Sequence, residues 1–306
     1  MARDVFIREV GLRDGLQLVA TVLSTERKVA WAKATVAAGI GEVEVTSFVP
    51  PSVIHQFIDA AEVAAQTVAI PGLTASALVP NLKGAVRALD CGVRALSYVI
   101  SASEAHSRAN VHRTTDEAFQ EFGRIVDLVR ERSLSDSVRL SCGIATAFGC
   151  TLQGKVDEGV VIELAHRLTE SGADEIMLAD TVGYANPGKV KRLFSVLVHD
   201  GIALSAHFHD TRGLGLANVA AALETGVRRF DASLAGLGGC PFAPGATGNI
   251  NTEDTAYLCE SLGLATGIDI DALVALRRDV ENWLPNERFA GAIERAGLPK
   301  DFLYVG

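Results

Sequence analysis

The stretch "LETGVRRF", residues 223–230, brings a helix-like run to a glycine and passes directly into a strand-like one. The same device recurs at "VAAGI" (36–40), "LDCGV" (89–93) and "TESGADEI" (169–176). Glycine suits such a junction because it enters the left-handed conformation that closes a helix without a steric penalty. Working outward from these junctions, eight short β-branched or apolar runs appear: "VFIREV" (5–10), "EVEVTSF" (42–48), "LTASALV" (73–79), "ALSYVI" (95–100), "VRLSCGI" (138–144), "EIMLAD" (175–180), "ALSAHFH" (203–209) and "RFDASLA" (229–235). Between them lie segments with helical spacing, among them "STERKVAWAKATVAAG" with Ser24 as its N-cap, "TTDEAFQEFGRIVDLVRERS" and "VVIELAHRLTESG". Strict strand–helix alternation implies a parallel sheet, and eight units close it, so the expected fold is an α/β (β/α)8 TIM barrel. A doubly wound sheet would want a phosphate loop after the first strand, and "GLRDGLQ" is not one. Residues 1–306 are expected to form a single domain, with the barrel at about 5–250 and additional C-terminal helices at about 251–306, including "DTAYLCESLG" and "DIDALVALRRDVENWL".

Composition narrows the function. The 306 residues are 48% hydrophobic and 21% charged, as in a globular chain. A net charge of -9 with no block of basic residues argues against nucleic acid or an anionic membrane as partner. No apolar run reaches a membrane span, and "MARDVFIREV" enters a strand without a signal core, so a cytoplasmic location is expected. The five cysteines, Cys91, Cys142, Cys150, Cys240 and Cys259, form no CxxC pair and read mostly as buried thiols.

In a TIM barrel the active site forms at the C-terminal ends of the strands, so polar residues there carry the information. Arg13, Asp14 and Gln17 follow the first run; Glu44, Thr46 and Ser47 end the second; Ser101, Ser103 and Glu104 follow the fourth; Asp180 and Thr181 end the sixth. In "SAHFHDTRG" (205–213), His207 and His209 stand at i and i+2 of the seventh run, so both project to one face while Phe208 takes the other. An isolated histidine of this kind is ordinarily a hydrogen-bonded packing residue. Two of them, with Asp14 and Asn249 carried to the same mouth by the fold, form a set suited to a divalent ion of intermediate hardness: Mg2+, Mn2+, Co2+ or Zn2+. Cys240 lies in the glycine loop "GLGGCPFAPG", with little apolar bulk to bury it, where a thiol can act as an acid or base. His55, His106, His112, His166 and His199 have no such partners in the pattern and read as surface or packing residues.

Taken together, "EVGLRDGLQ", "EVTSFVPP", "PNLKGA", "TAFGCTLQGKV", "ADTVGYANP", "AHFHDTRGLGLANV" and "AGLGGCPFAPGATGNINTEDT" resemble the 3-hydroxy-3-methylglutaryl-CoA lyase family of the DRE-TIM metallolyases, from about residue 5 to about residue 285. The resemblance implies a carbon–carbon lyase that splits an acyl-CoA by a metal-dependent retro-Claisen step, giving acetyl-CoA and acetoacetate. It implies Asp14, His207, His209 and Asn249 as ligands of Mg2+ or Mn2+, Arg13 as the stabiliser of the thioester oxyanion, and Glu44 as its orienter. Cys240 would handle the proton at the acetyl carbon, and Asp180 would stand near the reacting hydroxyl. Substrate contacts are expected from Arg13, Gln17, Ser47, Ser103 and Asn110, with Asn286 and Arg288 of "PNERF" offered to CoA. A homo-oligomer, dimer or tetramer, is expected, as is a place in leucine degradation.

The chain departs from the family's usual "GPRDGLQNE" by Leu12 for the proline and Leu18–Val19 for Asn–Glu, and it has Arg212 where a tyrosine is common. These positions bear on the acyl group, so a related 3-hydroxyacyl-CoA such as citramalyl-CoA, or one with a longer C3 branch, is an alternative substrate. The Claisen synthases of isopropylmalate and homocitrate share the Arg-Asp pair and the histidines, but the loop thiol favours the lyase. Aldolases of 4-hydroxy-2-oxo acids differ in that loop. A barrel kept only for binding would be expected to have lost Arg13, a histidine or Cys240.

Overall fold

The computed structural model describes residues 3–239 and 248–305. Eight parallel strands close into a barrel in sequence order. They are β1 Phe6–Glu9, β2 Glu42–Ser47, β3 Thr74–Leu78, β4 Ala95–Ser101, β5 Arg139–Ala145, β6 Glu175–Ala179, β7 Leu204–His207 and β8 Arg229–Ala232. Closure is made by β1 against β8, in register from Phe6–Arg229 to Glu9–Ala232. Each strand sits on one of the eight expected runs, with one difference that matters: β7 ends at His207, two residues before its run does.

The outer layer is α1 Thr25–Ala37, α2 Ala60–Thr67, α3 Leu82–Asp90, α4 Glu104–Val111, α5 Thr115–Glu131, α6 Glu158–Glu170, α7 Pro187–His199, α8 Gly215–Glu224, α9 Thr252–Ser261 and α10 Ile270–Trp283. The glycines of the four junction phrases all take positive φ: 97° at Gly39, 88° at Gly92, 111° at Gly172 and 101° at Gly226. A side chain at these positions would meet the strain that glycine avoids. N-termini are capped by side chains at Asn81, Ser103, Thr114, Asp157, Asn186, Asn251 and Asp269. Ser24 precedes α1 in extended conformation but makes no side-chain capping bond. Helix α9 packs on α8 and β1, the place of the eighth outer helix, so the ring takes in the first of the two helices set beyond it from the sequence. Helix α10 lies on α1 and α9.

Packing also sets the direction of the β7 side chains. Phe208 is fully buried, with its ring centroid 6.0 Å from Phe148 and 6.4 Å from Phe194. Burial of one such ring contributes about 2–3 kcal/mol, and it pins Phe208 to the helix side and the neighbouring histidines to the barrel side. No helix among the described residues is long and apolar enough to cross a membrane.

Candidate active site

Asp14 stands in a single π-helical turn, Gly11–Gly15, that follows β1 directly. The turn is tight because both glycines lack a Cβ: at Gly11 one would fall 2.5 Å from Glu9 Oε1 and 2.7 Å from Trp31. Arg13, on the same turn, is buried, with its Nε on Glu44 of β2 and an Nη on Asp14. Burial alone would lower the pKa of this guanidinium, but Glu44 and Asp14 outweigh it and raise the pKa further, so the cation is fixed.

His207 closes β7, and His209 lies just past it, held by a bridge to Asn249. Asp210 N donates to Gly248 O and Ile250 N to Phe208 O, so the chain returning after the glycine loop zips alongside residues 208–210 and delivers Asn249 to the mouth. The two Nε2 atoms are 3.0 Å apart, and Asp14 Oδ2 is 3.9 Å from that of His207 and 3.8 Å from that of His209. The point equidistant from these three atoms lies about 2.1 Å from each, the bond length of Mg2+ or Zn2+ to oxygen and nitrogen. Among the described residues this trio is the group of carboxylate, histidine or thiol ligands able to hold an ion.

The surroundings fit that use. His207 Nδ1 faces Asp231 Oδ2 at 3.2 Å, the carboxylate support that directs the other ring nitrogen outward in metal sites. His209 Nδ1 and Asn249 Oδ1 are buried with no partner among the described atoms. Asn249 turns its Nδ2 toward Asp14 Oδ2 at 2.8 Å and Leu237 O at 3.1 Å, so as an ion ligand it would have to present the other amide atom.

The titrations diverge. Burial pushes the Asp14 carboxyl up, but Arg13, both histidines and the Asn249 hydrogen bond outweigh it, leaving it at about 2. Burial lowers His207, while the Asp231 hydrogen bond and the Asp14 charge overcome that and raise it. Burial and the neighbouring His207 hold His209 at about 4. Asp180, at the end of β6, accepts from Tyr184 N at 2.6 Å and Ala185 N at 2.9 Å, while its Oδ2 has no partner among the described atoms. Its pKa is pushed up by burial to about 6 despite those bonds.

A cavity of about 150 Å³ opens at this mouth. Arg13, Asp14, Gln17, Asn110, His207 and His209 border it, as expected from the sequence. Glu44 reaches it through Arg13. Ser103 does not border it: it is fully buried as the N-cap of α4, accepting from His106 N and donating to Gln153 Oε1. Ser47 is also fully buried, with its Oγ accepting from Val49 N, and does not line the cavity. Asn286 and Arg288 are exposed and do not line it either. Cys240 falls outside the described residues.

Two residues were missed from the sequence. Asp231, behind His207, lies in β8 between Phe230 and Ala232 and meets His207 only through the β7–β8 pairing. His106, taken as a packing residue, borders the cavity. Of the departures at the mouth, Leu12 and Val19 pack into the core and Leu18 is half exposed beside Gly239. Arg212 does not border the cavity: its guanidinium stacks on Tyr184 at 4.7 Å and donates to Val182 O and Gly183 O.

Known proteins are similar to this chain over most of its length. A hydroxymethylglutaryl-CoA lyase of Bacillus subtilis is 38% identical over 281 residues, covering 91% of this chain and 93% of its own. A Pseudomonas aeruginosa lyase of 3-hydroxy-3-isohexenylglutaryl-CoA and hydroxymethylglutaryl-CoA is 38% identical over 276 residues, 90% of this chain and 91% of its own. An HMG-CoA lyase from Acinetobacter baumannii, solved with coenzyme A and 3-methylmalate, superposes with a TM-score of 0.91 at 40% identity, covering 99% of this chain and 98% of that one. With the HMGL-like family's sequence profile matching residues 4–280, the whole barrel and most of α10, the chain belongs to that family.

Proposed function

We propose that this protein is a divalent-metal-dependent carbon–carbon lyase that cleaves 3-hydroxy-3-methylglutaryl-CoA to acetyl-CoA and acetoacetate. The observation that carries the reading is the convergence of Asp14 Oδ2, His207 Nε2 and His209 Nε2 on one point beside the Arg13–Glu44 pair. Asn249 completes the proposed ligand set, and Mg2+ or Mn2+ suits its mixture of oxygen and imidazole donors. Such an ion, when bound, polarises acyl oxygens and lowers the pKa of the tertiary hydroxyl.

The protein's own groups divide the remaining work. Asp14, which borders the cavity, or Asp180, buried between the cavity-lining Ala179 and Thr181 and pushed up by burial to about 6, is assigned removal of the hydroxyl proton. As that proton leaves, the C2–C3 bond breaks, the hydroxyl carbon becomes the ketone of acetoacetate, and the electron pair moves into the thioester enolate. Arg13, held by Glu44, faces the developing oxyanion. Cys240 is assigned delivery of a proton to the acetyl carbon, which completes acetyl-CoA. Gln17 and Asn110 border the cavity and are assigned substrate contacts, while Ser47, Ser103, Asn286 and Arg288 receive none.

The test is release of acetyl-CoA from 3-hydroxy-3-methylglutaryl-CoA by purified protein supplied with Mg2+ or Mn2+. A base with a raised pKa must be deprotonated to act, so with Asp180 in that role kcat/KM should climb as pH rises through about 6 and level off above it. No product with either ion would overturn the reading. The Pseudomonas aeruginosa relative supports a second reading, an acyl group with a longer C3 branch, which the same assay resolves by comparing the two thioesters.

A further inference from the structure

The cavity at the mouth has two walls of opposite character. Arg13, Asp14, His207 and His209 supply the polar one, while Leu78 of β3, Val99 of β4, Ala145 of β5 and Met177 and Ala179 of β6 supply hydrocarbon. Ala179 pairs in register with His207, and Met177, two residues earlier on the same strand, shares that inward face. Beneath Met177 the barrel turns polar again: its Sδ lies 3.4 Å from Nη2 of Arg8, whose guanidinium is ion-paired with Asp231. The thioether is therefore the layer between the cavity and the charged interior. Its methyl end uses room that a glycine leaves free. Gly143 of β5 pairs with Met177, and a Cβ there would fall 2.6 Å from Met177 Cε, with Val99 Cγ2 next at 3.5 Å. Gly143 has no positive φ, so what its missing side chain supplies is space.

A 3-hydroxy-3-methylglutaryl thioester sorts itself between these walls. Its hydroxyl, free carboxylate and thioester oxygen would each lose hydrogen bonds against hydrocarbon, so they face the polar side. The CoA portion is far larger than a cavity of about 150 Å³ and leaves through the open end. What remains for the apolar wall is the C3 substituent. We propose that Met177 is a specificity-determining residue that sets the depth of the pocket for this C3 branch, with Gly143 as the positioning residue that makes room for the thioether. The proposal rests on the acyl-CoA lyase reading and assigns it a short branch. A methyl group fits above Met177, whereas a longer alkyl chain must displace the buried thioether from its seat on Arg8. An unbranched thioether yields more readily than a branched side chain, so the exclusion is graded.

The experiment compares 3-methylglutaryl-CoA with 3-butylglutaryl-CoA, which differ by three methylenes and, lacking the 3-hydroxyl, cannot undergo the cleavage. Affinities are measured by calorimetry on Mg2+-supplied wild type, Met177→Ala and Gly143→Ala. Wild type should bind the methyl thioester about tenfold to a hundredfold more tightly. Met177→Ala deepens the pocket and should erase or invert that preference, whereas Gly143→Ala drives the thioether into the cavity and should widen it by about threefold or more. Free CoA and Mn2+ should bind the three proteins equally, which separates a change of depth from a general loosening of the site. Opposite movements of the ratio are a signature that lost stability does not produce, and Gly143→Ala decides the matter should Met177→Ala fail to fold. Equal binding of the two thioesters by wild type, binding of neither, or a ratio unchanged in the folded variants overturns the proposal. Absence of HMG-CoA cleavage by wild type would instead count against the lyase reading, with the binding ratio still measurable.

Discussion

The two ends of the barrel are both rich in buried charge, yet they treat it oppositely. At the N-terminal end the charges are tied off. Arg8 meets Asp231 at 2.7 Å, Arg229 meets Glu175 at 2.7 Å and Glu42 at 2.8 Å, and Arg139 meets Glu42 as well. Arg139 Nε is the one side-chain polar atom of that network buried without a partner among the described residues. At the C-terminal end His209 Nδ1, Asn249 Oδ1 and Asp180 Oδ2 are all left in that state within one small site. Folding disfavours buried polar atoms without partners, so where several gather they are kept for something that arrives later. The floor uses charge to hold the strands in place, and the mouth holds charge ready for a ligand.

That contrast predicts opposite responses to isosteric substitution, and the mouth should give the larger change in activity. Asp14→Asn removes the charge at the centre of the proposed ligand trio, and turnover should fall by about a thousandfold or more, with Mn2+ affinity lost in a calorimetric titration. Stability should fall by about 2 kcal/mol or less, because the depressed pKa of Asp14 means that its charge also favours the fold and the buried Arg13 would keep only Glu44 as partner. A variant that lost its stability but kept its metal affinity would show that the trio is structural and would break the contrast.

Glu42→Gln is the counterpart at the floor. Glu42 receives Arg8, Arg139 and Arg229, and the three guanidiniums hold its pKa below the usual carboxylate range against the opposing pull of burial. Neutralising it leaves buried cations short of a partner and should cost about 3 kcal/mol in urea unfolding, while kcat/KM of the folded fraction stays within about twofold. A carboxyl with a depressed folded pKa stabilises above its unfolded pKa and loses that contribution as pH falls through the folded one, so the gap between wild type and variant should close in acid. A gap that persists there would remove the ion-pair account.

The barrel could be read from the sequence because its evidence is local and repeated: a glycine in left-handed conformation at Gly39, Gly92, Gly172 and Gly226, each followed by an apolar strand. The convergence of Asp14 and the histidines at one mouth was also legible, because strand alternation sets the face of His207 and the turn after β1 places Asp14. What escaped depended on distance in the chain. Asp231 shows its role only across the β7–β8 pairing, and His106 only once α4 is folded against the mouth. Ser47 and Ser103, expected at the site, stand away from the cavity for a local reason. Both stand at strand ends, but Val49 N occupies one hydroxyl and the start of α4 the other, a competition from the local backbone to which serine is prone.

Arg212 sharpens the comparison at its smallest scale, since it is a charged residue at the functional end that behaves like those at the floor. Standing where a tyrosine is common in the family, it was expected to bear on the acyl substrate. Its guanidinium is instead used up on Tyr184 and on the carbonyls of Val182 and Gly183, bracing the loop after β7 against the loop after β6. Exposed stacking of this kind is worth about 0.5–1 kcal/mol, and each hydrogen bond to a carbonyl a similar amount. Arg212→Ala should therefore lower stability by about 1 kcal/mol and leave KM for 3-hydroxy-3-methylglutaryl-CoA within about twofold, measured on the same protein preparation. A rise in KM of tenfold with unchanged stability would reverse the assignment and make Arg212 a substrate contact. Should the small stability loss appear alone, the position of a charge along the barrel axis is a weaker guide to its role than whether its hydrogen-bonding capacity is already filled.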